Sequence, residues 1–147
     1  MSAPYAEELV RIVETASKRL GQVSETETSI RPAGKWSKKQ ILGHLIDSAV
    51  NNHHRFVRAQ QTEQLAFPKY EQEHWVNVQG YDESSWAELI DLWRLYNRHL
   101  AQVIDRIPDE KLEVVCKIGP HEPASLGFLV EDYLVHLKHH LGQLDAA

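Results

Sequence analysis

Apolar residues recur at helical spacing in four stretches of this 147-residue chain. In the first, Leu9, Ile12, Val13, Ala16 and Leu20 share a face, which predicts a helix from about Pro4 to Leu20, stopped by Gly21. Pro4 suits a first turn, where a missing N–H costs nothing. The second opens at Ser37 and runs to about Gln60, with Ile41, Leu42, Leu45, Ile46, Ala49, Val50, Phe56 and Val57 forming a broad apolar arc. Ser37 and Gln40 fit a capping box, in which hydroxyl and side-chain amide satisfy each other's backbone N–H. The third starts near Ser84 or Ser85 and ends near Ile107, before Pro108; Ser85 and Glu88 form a second such box, and Leu89, Leu92, Trp93, Tyr96, Leu100, Val103 and Ile104 continue the face. The fourth opens at Ser125 and runs to about Leu144.

The connections differ in kind. Segment 21–36 is polar and holds Pro32 and Gly34. Segment 61–83 is long for a loop and carries Phe67, Tyr70, His74, Trp75 and Tyr81; long loops in small domains are usually functional. Segment 108–124 contains a short β-like run, Leu112–Ile118, followed by the turn signals Gly119-Pro120 and Pro123. With no convincing sheet, the pattern predicts an all-α fold, a four-helix bundle with long inter-helix loops in a single domain spanning 1–147.

Composition narrows the function. The balance of 42% hydrophobic and 25% charged residues is ordinary for a globular protein large enough to fold without a metal staple. A net charge of −5 with no basic stripe argues against nucleic-acid partners. No stretch has the roughly 20 apolar residues of a membrane span, and the N-terminal MSAPYAEELVRIVE lacks a signal-like apolar core. The lone Cys116 cannot form an intramolecular disulfide and reads as an inert, semi-buried thiol. A cytoplasmic protein is the expectation.

Nine histidines are the unusual feature. His136 and His140, at i and i+4, share a face and can chelate one ion; His136 and His139, at i and i+3, could in principle do the same. Azimuth separates them: from the centre of the fourth helix's apolar arc, His140 lies roughly 60° away, His136 roughly 100° and His139 roughly 160°. His136 and His140 can therefore point inward, while His139 faces away. Asp132 sits one turn before His136, placed to orient its imidazole. His44 falls on a polar stripe with Ser48, Asn51 and Arg55, away from the main arc, and the wheel does not say what that stripe faces. His53 and His54 are adjacent, point apart and read as solvated; His74, His99 and His121 have no partner at ligand spacing.

The stretches Trp36-Ser37-Lys38-Lys39-Gln40-Ile41-Leu42-Gly43-His44-Leu45 and Tyr133-Leu134-Val135-His136-Leu137-Lys138-His139-His140-Leu141-Gly142-Gln143-Leu144 resemble, in order and spacing, the DinB/YfiT-like family of metal-binding helix bundles. That resemblance implies one histidine from the second helix and two from the last, which picks His44, His136 and His140 as ligands of one divalent transition metal (Zn, Ni, Fe or Mn). Three protein ligands leave a position open for water or substrate. The resemblance implies a thiol transferase, a thiol-dependent isomerase or a hydrolase, acting on a small electrophilic substrate, and a homodimer. A low-molecular-weight thiol is then an expected partner. Asp132, Asn51 and Arg55 are the candidate polar groups of the pocket, each with the alternative of a solvated or interhelical role. The competing reading is a non-catalytic metal-binding or interaction module.

Overall fold

In the computed structural model, which describes residues 2–145, six α-helices and three short strands are found among the described residues. The four expected helices are α1 (Ala3–Leu20), α3 (Lys38–Ala59), α5 (Trp86–Asp105) and α6 (Leu126–Gln143), within two residues of their expected ends. Their starts follow the expected chemistry. Ser37 Oγ accepts from the Gln40 N–H at 3.1 Å while the Ser37 N–H donates to Gln40 Oε1 at 2.9 Å, so this capping box is complete. At α5 only half of the second box forms: Ser85 Oγ accepts from the Glu88 N–H at 3.3 Å.

The connections hold more order than the pattern suggested. The polar stretch after α1 contains a one-turn helix α2 (Glu25–Thr28), whose Glu25 carboxylate takes the buried Lys39 ammonium at 2.6 Å and the Trp86 N–H at 2.9 Å. That carboxylate therefore ties together the starts of α3 and α5. Segment 61–83 is not an open loop: it forms strand β1 (Gln64–Phe67), helix α4 (Gln72–Gln79), ended by Gly80 at a left-handed φ of 66°, and a 3₁₀ turn over Tyr81–Glu83. The expectation of no sheet is also corrected. β1 pairs in parallel with β2 (Val115–Ile118), and β2 pairs antiparallel with the two-residue β3 (Ala124–Ser125). β2 lies within the β-like run expected over Leu112–Ile118, whereas β1 and β3 are too short for alternation to announce them, and β1 meets a partner some fifty residues away. The sheet is small enough that the bundle remains the architecture.

The helices pack in the ring α1–α5–α3–α6, closed by α6 on α1. Numbered as the four long helices, that order is 1–3–2–4 rather than the 1–2–3–4 of an up-down bundle with short loops. The first and third connections, 21–37 and 106–125, therefore cross the bundle diagonally, which explains their length. α3 lies between α5 and α6 and is further covered by α4 and the Tyr81 turn. From Leu42 to Ala49 every residue of α3 is buried, polar ones included. Gly43 makes room for this covering: a Cβ there would stand 2.1 Å from the Tyr81 ring. Trp86 and Trp93 are core residues at 3% and 0% exposure. The exposed large apolar side chains of these faces are Leu92 and Leu95 on α5 and Phe128 and Val135 on α6.

Candidate metal centre

His44 is where covering α3 on all sides has its chemical consequence. The imidazole is fully buried, and neither ring nitrogen has a hydrogen-bond partner. An unpaired polar atom in the interior costs about 1–3 kcal/mol, so two on one ring need an explanation. The ring does not stand alone. Its centroid lies 5.2 Å from that of His136 and 4.7 Å from that of His140, both edge-on, and Trp36 closes another side at 5.1 Å. One nitrogen from each of the three histidines can be chosen so that all lie within 4.8 Å of one another.

His136 and His140 converge as their i, i+4 spacing allows, with Nε2 atoms 3.1 Å apart. That is close to the roughly 3.3 Å separating two nitrogens that bind one ion tetrahedrally at about 2.0–2.1 Å. His140 Nδ1 lies 2.8 Å from Gln143 Oε1. Because that oxygen only accepts, Nδ1 carries the proton and the Nε2 lone pair of the neutral ring is free. Burial, and then the neighbouring His140 and His136 rings, push the His44 pKa down to about 3. Burial and His140 push that of His136 down to about 4, with Asp132 acting in the opposite sense. His140 is also lowered, chiefly by burial. All three rings are thus neutral near pH 7, the state in which an imidazole can bind a metal. His139, exposed on the far side of α6, is outside the group.

Two clefts flank these rings. One, of about 770 Å³, is bordered by Trp36, Lys38, Glu73, His140 and Gln143. The other, of about 670 Å³, runs between α3 and α6 from Cys116 and Ile118 on β2 to His136. Glu73 of α4 borders both, and its Oε2 accepts from Trp36 Nε1 at 3.3 Å.

The other expected residues fall unevenly around this centre. Asp132 and Arg55 line the second cleft. Asp132 is exposed and influences His136 electrostatically. Asn51 is buried, with its amide donating to the Asp47 carbonyl at 2.9 Å; its neighbour Asn52 lines the cleft instead. Cys116 borders the cleft, but its thiol is buried and donates to the Val114 carbonyl, and burial pushes its pKa up. His53, expected to be solvated, is half-buried and bonded to Tyr96 Oη at 2.7 Å.

Four residues near the site were not foreseen: Trp36, Asp47, Glu73 and Gln143. Asp47 is a buried carboxylate whose Oδ1 accepts from Tyr81 Oη at 2.5 Å and Gln79 Nε2 at 2.8 Å, while Oδ2 has no partner. Burial raises its pKa. Gln143 had a readable signal, since it stands at i+3 from His140. Glu73 had none, because only the unforeseen α4 brings it to the clefts.

Comparison with known proteins places this geometry in a family. The family model described as the DinB superfamily matches residues 8–144. Two proteins of Oceanobacillus iheyensis, both named for a proposed metal-dependent hydrolase activity, are similar over nearly the whole chain. One is 26% identical over 94% of this chain and 78% of its own length, the other 23% identical over 95% and 83%. Among solved structures, YfiT of Bacillus subtilis superposes with a TM-score of 0.78 at 18% identity, over 92% of this chain and 81% of that one. It is described as a metal-dependent hydrolase candidate with an unusual four-helix bundle topology. At that identity the likeness concerns the fold, and the 1–3–2–4 helix order is where this chain's own topology is unusual.

Proposed function

The chain belongs to the DinB superfamily, and from that premise we propose that it is a metal-dependent hydrolase whose ion is held by His44, His136 and His140. The observation that carries this reading is His44, fully buried with both nitrogens unpaired and facing two further neutral imidazoles. The donor set fits a divalent first-row ion (Zn, Ni, Fe or Mn), and three protein donors leave room for a further ligand. A bound ion supplies Lewis acidity, polarising an electrophile and making water or a thiol acidic near neutral pH.

The chain's own residues supply the rest. Gln143 fixes the His140 tautomer, so the proton stays on Nδ1 and Nε2 faces the other two rings. Trp36 shields His44 from solvent, and Glu73 anchors the Trp36 indole while presenting a carboxylate to both clefts. Asp132, exposed beside His136, and Glu73 are the groups placed to accept a proton from the nucleophile. Asn51, committed to its own helix, has a structural role in this reading.

A second reading, transfer of a low-molecular-weight thiol to an electrophile, is favoured by one observation. The clefts reach different ligands, one His140 and the other His136, so two substrates could approach the centre from separate sides. We further propose that residues 1–147 act as one domain and pair as a homodimer through the exposed apolar face of α5 that carries Leu92 and Leu95. A monomer mass by light scattering across micromolar concentrations would remove the dimer.

The experiment is elemental analysis of protein purified without a His-tag, followed by ester and amide hydrolysis assays with and without the ion. The same preparations are assayed for conjugation of small thiols with electrophiles. Hydrolysis that needs the ion and not a thiol supports the first reading, and strict thiol dependence the second. Stoichiometric metal with no turnover of either class would leave a binding module.

A further inference from the structure

Arg55 stands out among the arginines that are at least half-buried. Arg94, comparably shielded, has its guanidinium on Glu14 at 3.3 Å. Arg55 has neither an ion pair nor a hydrogen bond, and its Nε is buried without a partner in the wall of the α3–α6 cleft. An unpaired cation held partly out of water is costly, and folded chains rarely keep one without something to bind. A guanidinium presents a planar fork of donors that matches the two oxygens of a carboxylate or phosphate. The surroundings add to this. Burial pushes the neighbouring Tyr70 phenol up to about 12, so it stays protonated as an O–H donor, and Ser48 contributes a hydroxyl to the same cleft. None of the carboxylates bordering the cleft (Glu71, Glu73, Glu122 and Asp132) lies within ion-pairing reach of Arg55, and Glu71 is engaged by Lys69 at 3.6 Å.

We propose that the α3–α6 cleft binds a substrate carrying one oxyanion, a carboxylate or a phosphate monoester, and that Arg55 is the residue that recognises it. That this ligand is the substrate rests on the metal-centre reading above, because the same cleft ends at His136. The oxyanion sits on Arg55 with Tyr70 and Ser48 beside it, and the rest of the molecule extends along the cleft toward the three histidines. The acidic rim makes the site selective. A single anionic group is matched by the floor, whereas a polyanion such as a nucleoside triphosphate meets Glu71, Glu73, Glu122 and Asp132. Arg55 is here a binding residue rather than a proton carrier, since a guanidinium does not titrate in the working range.

The test uses the metal-free full-length protein, so its outcome does not depend on the metal centre. Benzoate, phenyl phosphate and the neutral benzamide are titrated by calorimetry, with the Arg55 Nε–H resonance followed by NMR. At least one anion should bind about tenfold or more tighter than benzamide and shift that resonance, the tighter of the two identifying the oxyanion. Arg55→Gln and Arg55→Met should reduce anion binding to the benzamide level, Arg55→Lys should keep part of it, and His136→Ala should keep it. Should Arg55→Gln and Arg55→Met both lose the helical signal, the wild-type resonance and the benzamide comparison decide alone. Anions that bind no better than benzamide, or that bind folded Arg55→Gln as well as wild type, would overturn the proposal. Wild-type protein that binds the anion in this way but takes up no added metal would instead count against the metal reading alone.

Discussion

Replacing His44 with leucine should make the metal-free protein more stable and the metal-loaded protein less stable than wild type. His44 is fully buried and leaves two ring nitrogens unpaired; removing unsatisfied polar atoms from such a site while filling it with an apolar side chain should recover about 1–3 kcal/mol. Acid adds to the difference. The unfolded chain protonates His44 near 6.5, whereas the native ring, with its pKa pushed down to about 3, stays neutral well below that. Between those values the unfolded state holds the extra proton. Through this ring wild type therefore keeps its full stability above pH 6.5 and loses about 1.4 kcal/mol per unit, beyond what the other histidines lose, as the pH falls below it. His44→Leu escapes this part of the acid penalty, while that of His136 is common to both proteins. Metal reverses the order, because a ligand at a hundredfold its Kd adds about 2.7 kcal/mol to the protein that binds it and nothing to the one that does not. Urea unfolding at pH 7.5 and pH 5.5, with chelator and with saturating zinc, reads all four combinations. If His44→Leu is less stable than wild type in chelator at both pH values, the ring is satisfied in a way its geometry does not show. If zinc stabilises both proteins equally, His44 is not a ligand.

Four further outcomes follow from the same geometry. His136→Ala should lose bound metal while His139→Ala retains it, checked by elemental analysis; the reverse result would mean the pair on α6 is wrongly chosen. Gln143→Ala, which frees the His140 tautomer, should weaken metal affinity by about 10–100-fold in a competition titration with the helical signal unchanged, and an unaltered affinity would remove Gln143 from the site. Gly43→Ala would drive a methyl into the Tyr81 ring and should destabilise the fold by about 1–3 kcal/mol in urea, with no loss expected only if Tyr81 can leave Asp47 freely. Chelation should lower Tm but leave far-UV helicity at 25 °C largely intact, and unfolding on chelator alone would make the ion a structural staple.

How much of this was legible depends on where the controlling physics lies. Periodicity and caps found the long helices because those signals are local: Ser37 with Gln40 is a four-residue motif, and it forms as written. Azimuth on α6 told His136 and His140 from His139 because α6 buries one side and exposes the other. The same reasoning stalled at His44. A helical wheel assumes a wet face, and α3 has none between Leu42 and Ala49, since Trp36 and the α6 imidazoles close over His44 while α4 and the Tyr81 turn cover Gly43 and Asp47. The second cover comes from segment 61–83, whose strand and helix are too short to show a period. The helix was invisible, so Glu73 was too.

The order of helices around the ring decides whether this site can exist at all. In a bundle ordered 1–2–3–4, the second and fourth long helices lie on a diagonal, and a histidine on one would have to reach across the core to meet a pair on the other. Here α3 and α6 are neighbours, which brings the His44 ring within 4.7–5.2 Å of the two on α6. Two diagonal connections are the consequence, and they are not idle chain. The first carries Glu25, which ties the starts of α3 and α5, and leads into Trp36, which covers His44. The second folds into the strands that bring Cys116 and Ile118 to the far end of the Arg55 cleft. The long connections thus wall the site that the unusual helix order creates. A shortened connection that restored sequential order would remove both the meeting of α3 with α6 and the walls around it, so loop length here is tied to the convergence of the three histidines rather than left over from it.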